Sequence, residues 1–156
     1  MDFLRYYYRV ASPFVMVSEI ELSLRALVRL ALSPEKIVKA AKRCLSTAYK
    51  GEENVPTSLE RMSFDNYQTL ISFSENWPHL EPVFGGTRSR TSGKLKEIGE
   101  IRNDLFHFRR EITMREHQIL AGHRNWLLNK VKQTGAQPKT EAQREPNRKR
   151  IKGGRG

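Results

Sequence analysis

Apolar residues recur along this chain at intervals of three and four, the spacing that gathers them on one side of an α-helix. Phe14, Val17, Ile20, Leu24, Leu27 and Val28 form the first series, entered through Ser12-Pro13, a capping residue followed by a first-turn proline. The pattern predicts a helix from there to residue 32. Ser33-Pro34-Glu35 repeats the start signal, and Ile37, Ala40, Ala41, Cys44 and Leu45 carry a second helix to about Tyr49, with Lys39, Lys42 and Arg43 along its other side. Past a turn-rich stretch at 51–56, Ser63 opens a third helix through Phe64, Tyr67, Leu70 and Ile71 to near Asn76. Trp77-Pro78 and Glu81-Pro82 read as breaks, and 85–93 as a flexible basic loop. A long helix is predicted over 92–110. Thr113, with Glu116 three positions on, caps a last helix through Ile119, Leu120, Trp126, Leu127 and Val131. No segment sustains period-two alternation, so no strand is expected and the chain reads as all-α.

Beyond Gln133 apolar residues nearly vanish, while Pro, Gly, Gln, Lys and Arg accumulate. The expected organisation is one helical domain over 1–132 and a disordered basic tail over 133–156. Charge strengthens that division. The chain of 156 residues carries a formal +11, of which the tail holds +5 and the domain +6, so an anionic partner is expected for both parts. A single cysteine, Cys44, rules out an internal disulfide and suits a reducing compartment. No apolar run is long enough to span a bilayer, and Arg5 interrupts what would be the core of a leader. A cytoplasmic protein without a membrane segment is expected.

The candidate chemistry lies in the stretch Glu97-Ile98-Gly99-Glu100-Ile101-Arg102-Asn103-Asp104-Leu105-Phe106-His107-Phe108. On a continuous helix Leu95, Ile98, Ile101, Leu105, Phe108 and Ile112 make one apolar stripe, while Gly99, Arg102, Asn103, Phe106, His107 and Arg110 fan across a neighbouring face. A mid-helix glycine and an outward phenylalanine on that second face suggest close approach by a partner, and hence a dimer. Asn103 and His107, four apart, would be neighbours there, with Arg102 at the edge. A histidine can move a proton to or from a ribose hydroxyl, and an arginine can hold the scissile phosphate. RNA brings its own nucleophile, so neither a metal nor another cofactor is expected. Arg88, Arg90, Lys94 and Lys96 before the cluster, with Arg109 and Arg110 after it, are the candidate RNA-binding cations. His79, His117 and His123 have no metal-ligand spacing.

Arg102-Asn103, three residues, then His107 resembles the signature of the HEPN superfamily: arginine, a polar residue, and histidine after a short gap. Pro13-Phe14 through Glu19-Ile20-Glu21 to Leu24-Arg25, Met62-Ser63-Phe64-Asp65-Asn66-Tyr67, Asn76-Trp77 and the 97–108 stretch are similar to the HEPN-like domain found behind tandem CBS domains in bacteria. The resemblance covers about residues 12–128. It implies a four- to five-helix HEPN-like bundle and a symmetric homodimer with the motif helix at its interface. It also implies metal-independent endoribonuclease activity leaving 2′,3′-cyclic phosphate ends, with Arg102 and His107 as the catalytic pair and Asn103 in support. Many such enzymes act as toxins or anti-phage effectors, so an antitoxin is an expected partner. Two features differ from the family pattern. No CBS pair is expected ahead of the helices, and Arg109 stands where toxins silenced by a nucleotidyltransferase commonly carry an AMP-accepting tyrosine. The alternative is a non-catalytic HEPN-like subunit that binds RNA or protein within a larger nucleic-acid complex.

Overall fold

The computed structural model describes residues 3–136; of the predicted tail, 133 and 134 are still helical, and residues 137–156 with the Arg148–Lys152 run lie outside the described residues. Six α-helices follow one another: α1 (Phe3–Ala31), α2 (Pro34–Leu45), α3 (Phe64–Ser72), α4 (Trp77–Phe84), α5 (Arg88–Phe106) and α6 (Met114–Thr134). Two single 3₁₀ turns, Glu52–Asn54 and Leu59–Arg61, occupy the α2–α3 connection. The described residues contain no strand, as the periodicity requires. None of their helices is long and apolar enough to cross a membrane.

α1 is the axis of the bundle. The predicted face is buried along its length, with Val17, Ile20, Leu24, Leu27 and Val28 all at most 1% exposed. α6 runs beside it in the same direction, since Ser12 meets His117 and Glu19 meets Arg124. α5 runs the opposite way, bringing Phe106 to Phe14 and Arg102 to Glu21. α5 and α6 thus form an antiparallel hairpin whose turn spans 107–113, and α3 closes the other side of α5.

α1 also carries a polar series one turn apart, each member reaching a different element. Glu21 pairs with Arg102 on α5, Arg25 donates to the Tyr67 hydroxyl on α3, and Arg29 pairs with Glu60 in the second 3₁₀ turn. Tyr67, 1% exposed, donates in turn to the Leu59 carbonyl. Burial pushes the Tyr67 phenol above its ordinary pKa, which keeps it a neutral donor.

α2 ends at Leu45 rather than about Tyr49 and α3 at Ser72 rather than near Asn76, and three other departures from the predicted elements have a local cause. α1 begins at Phe3, with Pro13 inside it. A proline removes one hydrogen bond and crowds the preceding turn, but packing of the helix against its neighbours outweighs that local signal. The two prolines read as breaks instead sit in α4. Pro78 falls in the first turn, where its missing N–H is not needed, and Pro82 removes one bond in a helix anchored by buried Trp77, Leu80 and Phe84. The supposed loop 85–93 is already helical from Arg88, because the Thr87 side chain accepts from the Arg90 N–H and supplies a cap.

Gly99 requires a further correction. It does mark a close approach, but from within the subunit. A Cβ there would lie 3.3 Å from both the Phe64 ring and the Gln68 side chain of α3. It therefore supplies no argument for a second copy.

Candidate functional site

α5 ends at Phe106, four residues short of the predicted limit, and His107 is its C-cap with φ −85° and ψ 2°. The His107 N–H donates to the Asn103 carbonyl at 3.0 Å, and Phe108 then turns to φ +51°. His107 thus follows Asn103 by one hydrogen-bonded turn, and the chain leaves the helix only after it. His107 stands at the open end of the helix, exposed to solvent. The turn of 107–113 was invisible to the periodicity because Phe108 and Ile112 fit the apolar spacing of α5 by coincidence.

Arg102 is the constrained member of the cluster. Its Nε donates to Glu21 Oε1 at 3.0 Å, and its guanidinium lies 4.5 Å from the centre of the Phe106 ring. Salt bridge and ring together fix a side chain that would otherwise be free to sweep. Asn103 is half-buried beside it. Glu21 was read only as part of a helix. The available signal was a carboxylate one turn from both Val17 and Arg25, close to the buried side of α1.

An aromatic surface adjoins these residues. Phe14 meets Phe106 edge-on at 5.4 Å and Phe108 at 5.9 Å between ring centres. Phe106 is 41% exposed and Phe108 81%. A shallow cavity of about 260 Å³ opens beside them, lined by Pro13, Phe14, Leu105, Phe108, Arg110 and Ile112. Phe108 combines two unfavourable features, a bulky residue in left-handed backbone and a ring in water, which together cost on the order of 1–3 kcal/mol. Such a feature persists where the surrounding structure imposes it.

The turn is imposed largely by Arg110. Its guanidinium grips both carboxylate oxygens of Glu116, at 2.6 and 2.9 Å, and reaches Asp104 at 3.2 Å. Arg109 also approaches Asp104, at 3.7 Å. Glu116 accepts from the Thr113 N–H as well, completing the predicted capping box. These donors, Arg110 first, hold the Glu116 carboxyl down at about 2 against an ordinary 4.5. A carboxylate with a depressed pKa contributes stability in full above its unfolded value and loses it as pH falls toward the folded one. Acid titration of the intact chain should therefore loosen this turn between about pH 4.5 and 2. In Glu116→Gln that part of the pH dependence should be absent and the protein less stable by about 1–2 kcal/mol, read from urea melts at several pH values.

The remaining cations divide by position. Arg110 is held in ion pairs, so its role is to shape the turn. Lys94 lies 4.1 Å over the Trp126 ring of α6, and burial lowers its pKa, with Arg90 and Lys130 adding to the effect. Arg88 donates to the Ser72 carbonyl. At 1.5 Å rise per residue, Arg88 and Arg90 lie about 20 Å along the axis from Arg102, and α5 does not bring them to the His107 end. Exposed Lys96 is on the same side of the helix as Asn103, about 10 Å away. His123 contacts Glu97 at 2.8 Å, and the His117 ring is 3.5 Å from the Ser12 hydroxyl. Among the described residues no group of three His, Cys, Asp or Glu side chains could hold a metal ion.

Compared with known proteins, the chain matches no family model, no curated protein and no solved structure.

Proposed function

We propose that this chain is a HEPN-type endoribonuclease that cuts RNA without a metal, as a homodimer, in the manner of cytoplasmic toxins and anti-phage effectors. The observation that carries the reading is a restrained, half-buried Arg102 with an exposed His107 five residues further on, at the free end of α5. The arginine can offset charge on the non-bridging phosphate oxygens. The histidine can take the 2′-hydroxyl proton or return one to the leaving 5′-oxygen. As the 2′-oxygen bonds to phosphorus, the bond to the 5′-oxygen breaks, leaving a 2′,3′-cyclic phosphate and a 5′-hydroxyl. Asn103 supports the site beside them. The exposed rings of Phe106 and Phe108 give a second copy an apolar surface on which to dock. A two-fold contact there would place two Arg102–His107 sets in one groove.

One observation favours a second reading, a non-catalytic RNA-binding or protein-binding subunit of a larger nucleic-acid complex: Glu21 already neutralises the Arg102 guanidinium. Incubation of the full chain with labelled single-stranded RNA in EDTA decides between them. Cleavage by the parent, lost in Arg102→Ala and His107→Ala, supports the enzyme. Equal binding by all three with no cleavage supports the subunit.

A further inference from the structure

A second basic surface lies on α2 and α4, apart from the residues assigned above. Lys36, Lys39 and Arg43 are three and four residues apart and form one exposed stripe along α2. His79 of α4 faces the same groove, of about 210 Å³, whose floor includes Leu32 and Ala40. Like charges at this spacing repel along a helix. Among the described residues neither Lys36 nor Lys39 makes an ion pair. Glu75 pairs with Arg43 at 3.3 Å and is itself well exposed; Glu35 lies in the first turn of α2. The groove is also built from below. Asn76, 1% exposed, donates to the Leu70 carbonyl and accepts from Arg43 Nη1 at 3.1 Å, which sets the guanidinium at its edge.

We infer that this α2–α4 groove binds the phosphate backbone of a single-stranded nucleic acid, with Lys36, Lys39 and Arg43 contacting successive phosphates and His79 flanking them. The spread of the cations identifies a strand rather than one anion. Lys36 to Arg43 covers roughly 10 Å of helix, and Arg43 is held at its end by Asn76 and Glu75, so the three cations are set out along a line. Cations set out along a line suit the successive phosphates of a strand, each taking its own. Arg88, tied to Ser72 near the Glu75–Asn76 corner, continues positive charge beyond the groove. The inference takes its RNA ligand from the reading above but needs no cleavage.

The test uses the full chain carrying His107→Ala, so that RNA stays intact, and follows binding of a labelled single-stranded RNA across salt concentrations by fluorescence anisotropy. Adding Lys36→Gln with Lys39→Gln removes two phosphate contacts and should reduce the steepness of log affinity against log salt by about 1.4. Lys36→Arg with Lys39→Arg should restore it, which separates lost charge from lost fold. In competition at constant ionic strength, an unlabelled trinucleotide should displace the probe from the groove and inorganic phosphate should not. An unchanged slope in the double glutamine variant overturns the proposal, and so does displacement by inorganic phosphate as effective as by the trinucleotide. Each result stands whether or not the parent cuts RNA.

Discussion

Replacing His107 with alanine should slow RNA cleavage by about 10²- to 10⁴-fold, the range expected when a positioned proton-transfer group is lost. Melting should be nearly unchanged, because His107 is exposed and contributes only its backbone N–H to the end of α5. Arg102→Ala should cost about 10²- to 10³-fold through lost charge stabilisation. Arg102→Lys should not rescue it, since a lysine offers neither the planar stack on Phe106 nor a fork for Glu21 and phosphate together. Glu21→Gln separates the two roles of the arginine. It removes the charge that holds Arg102 in place while leaving the arginine itself. Because the residues act as a unit, the double variant Arg102→Ala/His107→Ala should lose little more than the worse single one. Single-turnover rates on an RNA oligonucleotide measure all of these, and full activity of His107→Ala would remove this residue from the chemistry.

Tyr67→Ala should be the most damaging substitution for stability, at about 3–5 kcal/mol. The side chain is among the largest that are fully buried, and its removal leaves a cavity where α1, α3 and the Leu59–Arg61 turn meet. It also strips Arg25 of its acceptor and the Leu59 carbonyl of its donor. Tyr67→Phe retains the ring and should cost less, about 1–3 kcal/mol, for the buried polar groups left unpaired. Urea denaturation gives both values. A loss in Tyr67→Ala no greater than in Tyr67→Phe would show that the ring itself contributes nothing.

The fold was legible wherever one apolar face faced one core. The inner residues of α1, α2, α3 and α6, and the caps Ser33, Ser63 and Thr113, are where their spacing and chemistry place them. Reading failed where tertiary contacts overrode local rules. Pro13 inside α1 and Pro82 inside α4 survive because the helices around them are packed on neighbours, while a sequence read locally makes the first a helix start and the second a break. The candidate site was half legible. Arg102, Asn103 and His107 could be named from the motif. Their arrangement could not, because the helix stops at Phe106 and the turn depends on Arg110 meeting Asp104 and Glu116. Glu21 and the Phe14 edge contact arise from α1 lying against α5, 81 residues apart in the case of Glu21 and Arg102. Gly99 carried a real signal of close approach, but not which chain approached.

Analysis of the RNA ends produced by the full chain in EDTA bears most directly on the proposal that Arg102 and His107 catalyse attack by the 2′-hydroxyl. The account predicts fragments ending in 2′,3′-cyclic phosphate and beginning with 5′-hydroxyl, absent when either residue is alanine. RNA left intact by the parent, or cut to 3′-hydroxyl ends in a reaction that EDTA abolishes, would contradict it.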